Sequence, residues 1–250
     1  MKFSIKFVVF ILSCCCTSNL YAQFCKTPLA IVPLGGDGYA YTTCNVYGGD
    51  LYPSNSMYLV TNNGVVMIDT PWDTTQLRPL LDSIKTRHGK EVVLCISTHF
   101  HSDRTAGVNF LKSKGISTWS SRRTYNLCRE RGEEQPEFYF NNDTVFTVGQ
   151  YRVETYYGGG GHTPDNIVVW FAHNKLLYGG CLVKSTESPD LGNMGDARPD
   201  EWPQTIKNIL KRFPKPGIVI PGHLGWNNSQ SLQHTQKMLR LHHKRKQLKK

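Results

Sequence analysis

The sequence predicts a mixed α/β fold built from two similar halves, each a set of strands with helices outside. Three observations carry this reading. Short apolar runs alternate along the chain with stretches of helical spacing. The pattern begins again near residue 144, after a first half of the same kind. No Pro/Gly/Ser-rich linker or abrupt change in composition separates the halves, so the chain beyond the leader reads as one domain.

Residues 1–22 have the layout of an export signal. Lys2 and Lys6 form its basic end, Phe7 to Leu12 its apolar stretch and Leu20-Tyr21-Ala22 its cleavage site, leaving 23–250 as the mature domain. The apolar stretch is too short to cross a bilayer, and no other segment is long enough, so no membrane span is expected. Ile11-Leu12-Ser13-Cys14 offers an alternative, a lipoprotein-type box that would leave a lipid anchor on Cys14. Both routes imply export, with the periplasm as the destination.

The first half opens with strand-like runs at Ala30 to Val32, Tyr39 to Cys44, Met57 to Val60 and Val65 to Asp69. Thr61-Asn62-Asn63-Gly64 carries the asparagine-glycine chemistry of a tight hairpin turn between the last two. Leu77, Leu80, Leu81 and Ile84 then recur at i, i+3, i+4, i+7, one face of an amphipathic helix with Asp73 or Thr74 as its cap. A buried strand over Val92 to Thr98 precedes a helix from Thr105 to Ser113 and a third helix over Ser121 to Glu133.

The second half gives strands at Thr144 to Val148, Tyr151 to Tyr157, Ile167 to Phe171 and Leu176 to Gly180, with turns at Gly149-Gln150 and His173-Asn174. Ile206, Ile209, Leu210 and Phe213 mark a helical face before the strand Ile218 to Ile220. A last helix starts near Asn228 or Ser229 and turns Leu232 and Leu239 inward.

The net charge of +10 is concentrated at the ends: Lys2 and Lys6 belong to the leader, and Lys244, Arg245, Lys246, Lys249 and Lys250 to the C-terminus. Because a nucleic-acid binder needs a basic face with reading elements rather than a charged tail, no nucleic-acid partner is expected. Without the leader five cysteines remain, Cys25, Cys44, Cys95, Cys128 and Cys181, so at least one thiol is unpaired or bound to metal. Cys95 lies within a strand and reads as a small buried hydrophobe.

Chemistry concentrates in His99-Phe100-His101-Ser102-Asp103-Arg104, just past a buried strand, where two imidazoles and a carboxylate at alternating positions can converge on a metal. His162 follows Gly158 to Gly161, Cys181 follows the run ending at Gly180, and His223 ends Ile218-Val219-Ile220-Pro221-Gly222-His223. Each of these lies beyond the C-terminal end of an apolar run, where open α/β sheets place functional groups. Six donors exceed one tetrahedral site. Divided three and three, they leave each of two ions an open position, and imidazole with thiolate favours zinc over magnesium or calcium. The four glycines let the backbone approach something closely, and close packing around the metal is the expected reason.

Taken together, His-x-His-x-Asp-Arg, Gly-His-Thr-x-Asp-Asn, Gly-Gly-Cys-x-x-Lys and Pro-Gly-His resemble the metallo-β-lactamases, in particular the subclass whose second zinc is held by Asp, Cys and His. The likeness runs from Asp69 to His223. It implies a four-layer αββα sandwich, with His99, His101 and His162 on one zinc and Asp103, Cys181 and His223 on a second. It also implies Lys184 as the partner of the substrate carboxylate, Asn193 as an aid to the carbonyl oxygen, and Thr42 to Pro53 as a lid hairpin with Tyr47 near its tip. Asp69 would orient the ligand-bearing loops, and Arg104 would lie behind the thiolate and Asp103.

The expected reaction is hydrolysis of the β-lactam amide of penicillins and cephalosporins, extending to carbapenems, by a monomer that confers antibiotic resistance. In it Asp103 orients the attacking oxygen and Asn193 helps to stabilise the oxyanion. Another zinc hydrolase of the same fold, acting on thioesters or lactones, is the alternative. Arg104 and Cys181 stand where such enzymes carry a histidine and an aspartate, and Lys184 would there be unneeded.

Overall fold

A computed structural model describes residues 22–226 and 229–248. The leader through Tyr21, including Cys14, and the helix start at Asn228 lie outside the described residues. The first half folds into strands β1 (Leu29–Pro33), β2 (Gly38–Tyr47), β3 (Asp50–Thr61), β4 (Gly64–Ile68), β5 (Val92–Ser97), β6 (Ser117–Ser121) and β7 (Phe138–Phe140). These form one sheet in chain order, antiparallel from β1 to β4 and parallel from β4 to β7. Its helices are α1 (Leu77–His88), α2 (Ser102–Thr105), α3 (Val108–Ser113) and α4 (Arg122–Arg131).

The second half contributes β8 (Val145–Val148), β9 (Tyr151–Tyr156), β10 (Val168–Phe171), β11 (Leu176–Gly180) and β12 (Ile218–Pro221), with helices α5 (Trp202–Arg212) and α6 (Ser231–Gln247). Its sheet runs β12-β11-β10-β9-β8, with only β11 and β12 parallel.

Both faces of the central strands are buried, which is why they read as unbroken apolar runs. Met57, Leu59, Val66, Ile68, Leu94 and Ile96 point between the sheets, against Val153, Val169, Phe171, Leu176, Tyr178 and Ile220 of the other half. The alternate residues Tyr58, Val65, Met67 and Cys95 point outward, under Leu77, Leu80 and Ile84 of α1 and Leu111 of α3. On the opposite outer face, Trp202, Ile206 and Ile209 of α5 and Leu232, Met238 and Leu239 of α6 cover Val168, Leu177 and Val219. The result is two facing sheets flanked by helices, the expected αββα layering.

Some boundaries differ from the sequence reading. The helix expected from Thr105 to Ser113 begins at Ser102 and is broken between α2 and α3. Gly107 stands at the break: its backbone lies so close to Leu77 and Thr70 that a Cβ there would come within 2.7 Å of the leucine, and its N–H leaves the helical pattern to donate to Thr70 Oγ1 at 3.2 Å. The helix expected over Ser121 to Glu133 is α4, capped by the Ser121 hydroxyl on Thr124 N–H and ended by Gly132 at φ 74°. Asp73 caps a short 3₁₀ turn, Thr74–Gln76, which leads into α1. The last helix, expected near Asn228 or Ser229, is α6, which starts at Ser231.

Cys25 and Cys44 form a disulfide, while Cys95, Cys128 and Cys181 are free and buried. No described helix is long and apolar enough to cross a membrane.

Candidate metal centre

The six predicted donors come from loops at the C-terminal ends of parallel or central strands. His99, His101 and Asp103 follow β5 into α2, Cys181 follows β11, and His223 follows β12. His162 lies in the connection from β9 to β10. Asp69, just past β4, ties these loops together from below. Its carboxylate accepts from Thr98 N–H at 2.6 Å, Thr98 Oγ1–H at 2.8 Å and Tyr178 O–H at 2.7 Å, linking the start of the His-x-His segment to β11. Asp69 holds a left-handed backbone at φ 62°, a conformation that a non-glycine residue keeps only where its surroundings fix it.

Asp103, Cys181 and His223 converge tightly. Cys181 Sγ lies 3.4 Å from Asp103 Oδ2 and 3.1 Å from His223 Nε2, and the latter two atoms are 3.3 Å apart. The three imidazoles form a second group beside it. His101 Nδ1 and His162 Nε2 are 3.2 Å apart, and the ring centroids of His99, His101 and His162 lie 4.9 to 5.1 Å from one another. The groups adjoin through His99 Nε2, which is 3.9 Å from Asp103 Oδ1. Ligands about 2.0–2.3 Å from a tetrahedral zinc sit roughly 3.3–3.8 Å from one another, so Asp103, Cys181 and His223 have the spacing of a zinc shell. Donor atoms of His99, His162 and Cys181, and of His99, His101 and Asp103, also lie within 4.8 Å of one another, so the candidate groups overlap through His99. The buried Nε2 of His99 has no hydrogen-bond partner, an arrangement that a bound cation would satisfy.

Electrostatics prepares the donors. Burial lowers His99 and His162 well below the usual imidazole range, and lowers His223, favouring neutral rings with a free lone pair. Burial pushes Asp103 upward, but Arg104, His223 and His99 outweigh it and hold the carboxyl well below the usual carboxylate range. Burial pushes the Cys181 thiol up to about 12, against the pull of Arg104.

Arg104 is fully buried behind this group. Its Nη2 donates to Cys181 Sγ and to Gly222 O, each at 2.9 Å, and lies 2.9 Å from Asp103 Oδ2. Its Nη1 donates to Asn55 O at 2.6 Å and Tyr178 OH at 3.1 Å. One guanidinium thus spans both sheets and offsets the charge of two donors.

A cavity of about 250 Å³ opens over the donors, with His101, Asp103, His162, His223, Lys184 and Asn193 on its walls. Lys184 is 7% exposed, which excludes a free surface lysine, and its Nζ lies 5.4 Å from the Trp202 ring centroid. Burial lowers its pKa, opposed by Cys181, Asp103 and Asp190. Asn193 is fixed by an Asx turn: its Oδ1 accepts from Gly195 N–H at 3.0 Å, leaving Nδ2 as the free polar end.

The hairpin expected to act as a lid is β2–β3, turned by Gly48 and Gly49 at φ 61° and 92°, with Tyr47 and Tyr52 on the cavity wall. Trp72 continues that wall, 6.4 Å from the Tyr47 ring and 6.2 Å from His223 between centroids.

Two aspects were not read from the sequence. Asp196 places Oδ2 3.0 Å from His101 Nε2 and Oδ1 3.2 Å from Arg131, orienting a donor ring through its far nitrogen. The four glycines pack on α5 rather than around the metal donors. A Cβ on Gly159 would meet Thr205 Oγ1 at 2.5 Å, and one on Gly161 would meet Leu182 at 2.2 Å and Trp202 at 3.1 Å. Thr205 Oγ1 and Asn208 Nδ2 donate to the carbonyls of Gly160 and Gly158 at 2.6 and 2.8 Å. The glycines therefore let α5 clamp the loop that carries His162.

Comparison with known proteins agrees with this architecture. A family model described as the metallo-beta-lactamase superfamily matches residues 49–223. The chain is 40% identical over 218 residues to metallo-beta-lactamase type 2 of Elizabethkingia meningoseptica, covering 87% of each chain. It is 37% identical over 239 residues to metallo-beta-lactamase IND-1 of Chryseobacterium indologenes, covering 96% of this chain and 99% of that one. The solved metallo-beta-lactamase from Pontibacter korlensis superposes with a TM-score of 0.82 at 35% identity, over 85% of this chain and 99% of that chain. Fold, donor geometry and sequence agree, and the chain belongs to the metallo-beta-lactamase superfamily.

Proposed function

We propose that the protein hydrolyses the β-lactam amide bond of penicillins, cephalosporins and carbapenems, and so confers resistance. Two zinc ions per chain would be held by His99, His101 and His162 and by Asp103, Cys181 and His223. The observation that carries this reading is the convergence of six donors in overlapping groups of three with a buried ammonium, Lys184, and an amide held by an Asx turn, Asn193, on the wall of one cavity. The names of relatives 37–40% identical over most of the chain support the substrate class.

Zinc in such a site supplies a Lewis acid and lowers the pKa of water from 15.7 toward about 7. The protein's own groups do the rest. Lys184 pairs with the substrate carboxylate and fixes the lactam over the donors. Asn193 Nδ2 donates to the carbonyl oxygen as negative charge develops there. Asp103 Oδ2 faces Arg104, Cys181 and His223, so Oδ1, on the His99 side, is the oxygen placed to accept from and orient the attacking water.

A single chain supplies every one of these groups, which supports action as a monomer. Export to the periplasm is part of the proposal, and the Cys25–Cys44 disulfide supports an oxidising compartment. The test is hydrolysis of a chromogenic cephalosporin and of a carbapenem by the purified protein, with metal content measured alongside. Close to two zinc ions and activity lost reversibly on chelation are expected. Undiminished activity in metal-free protein, or hydrolysis of thioesters alone, would overturn the proposal.

A further inference from the structure

Helix α6 buries Leu232, Thr235, Met238 and Leu239 against the body, and its later turns stay attached on that side through His243 Nε2 to Pro199 O at 3.0 Å and Lys246 to Asp200 at 3.8 Å. The opposite side has a different composition. Lys237, Leu241, Lys244 and Leu248 follow one another at i, i+4, i+7 and i+11, a single helical stripe, with Arg240 and Arg245 beside it. All six residues are exposed, Leu241 at 45% and Leu248 at 87%. No acidic residue occurs between Trp226 and Lys250, and Asp200 meets α6 on its attached side. Neighbouring α5 adds the exposed Lys207 and Lys211.

We infer that this outer stripe of α6 docks on the surface of an anionic lipid bilayer. A solvated helix end explains the cations but gives no reason for two leucines among them. A lipid interface uses both: headgroup phosphates take the ammonium and guanidinium groups, while the leucines reach the boundary of the acyl chains. A duplex nucleic acid would also attract the cations, but it offers nothing apolar to leucines at this spacing. The docked helix lies along the surface and crosses nothing, consistent with the described helices.

The experiment is sedimentation of the purified zinc-loaded protein with vesicles of equal parts phosphatidylglycerol and phosphatidylcholine, against vesicles of phosphatidylcholine alone. Binding to the first and not the second, falling as salt rises, is expected. Replacing both Lys244 and Arg245 by Gln should weaken it ~30-fold, taking about fivefold per cation near such a surface. Leu241→Ser with Leu248→Ser, which leaves charge untouched, should weaken it about tenfold or more. Both double variants change only exposed residues, so their melting temperature and hydrolytic activity in solution should match the parent. Equal binding to uncharged vesicles would overturn the inference. So would binding that the leucine variant leaves intact and that duplex DNA displaces, because adsorption to any polyanion would then be the whole effect.

Discussion

The Nδ1 of His223 lies 2.7 Å from the carbonyl oxygen of Pro53, so a strand of the lid hairpin fixes the ring of a donor in the metal group. Pro53 is the cross-strand partner of Cys44, and Cys44 is bonded to Cys25 in the segment that precedes β1. Tyr52 adds a ring contact to His223, 5.1 Å between centroids. Lid, N-terminal segment and donor are thus one connected unit.

Breaking the Cys25–Cys44 link should therefore be felt twice. The bond closes a loop with a sequence separation of 19, for which chain entropy gives about 3 kcal/mol of stabilisation. The Cys25→Ser/Cys44→Ser variant should melt roughly 6–12 °C lower in calorimetry. It should also lose zinc to a chelator faster, because the strand pair bearing Pro53 is less restrained. Reductant should reproduce both effects in the parent. A double variant with the parent's melting temperature and zinc retention would show that the disulfide restrains nothing.

Lys184→Ala tests substrate recognition. An ammonium that contacts substrate in ground and transition states alike should raise KM more than it lowers kcat. A charge-assisted contact of about 1.5–3 kcal/mol corresponds to a loss of roughly tenfold to a hundredfold in kcat/KM. An unchanged KM would leave Lys184 with a structural role beside Trp202.

The convergence of these six side chains was legible because each combines a metal-binding side chain with a place beyond an apolar run, and both features are local. Features that depend on distant partners were not. Strand β6 reads Ser117-Thr118-Trp119-Ser120-Ser121, without apolar alternation, yet Thr118 and Ser120, on one face, are buried because α3 and α4 pack on the strand. Leu77 and Thr70 leave no room for a side chain at Gly107, and α5 leaves little at the glycines before His162. The pairing of Cys25 with Cys44 rests on β2 lying alongside β1, which no spacing rule encodes. Asp196 carries no local signal of its role, since its partner His101 is 95 positions away.

Asp196 itself yields a prediction. A carboxylate on the far nitrogen of a donor imidazole fixes the ring and its tautomer, and losing such a partner typically costs 10–100-fold in metal affinity. Asp196→Asn keeps the size but removes the charge that also pairs with the half-exposed Arg131. Competition with a chromogenic chelator should show zinc affinity lower by about that factor, with the melting temperature of the metal-free protein nearly unchanged. Equal affinity would mean that His101 is held by its neighbours alone.

The proton balance of zinc binding is set by the donors' surroundings. Imidazoles lowered by burial are already neutral at pH 7, so His99, His162 and His223 release no proton when a metal arrives. Asp103 is already ionised, its carboxyl held low by Arg104, His223 and His99 against the effect of burial. Cys181 is the exception: burial raises its thiol to about 12, so the metal must displace a proton from sulfur. Zinc affinity should therefore rise with pH, by about tenfold per unit between pH 7 and 9, and one proton should leave per zinc entering the Asp103, Cys181 and His223 group. Calorimetric titration in two buffers of different ionisation enthalpy measures that proton directly. Cys181→Ala should remove the pH dependence of that group along with most of its affinity, leaving the three-histidine group able to bind. The same raised thiol should make alkylation of Cys181 slow at pH 7 in the metal-free protein and faster as pH rises, and blocked at every pH once zinc is bound. Zinc uptake without proton release would mean that Arg104 already holds the sulfur as a thiolate, placing its influence above that of burial.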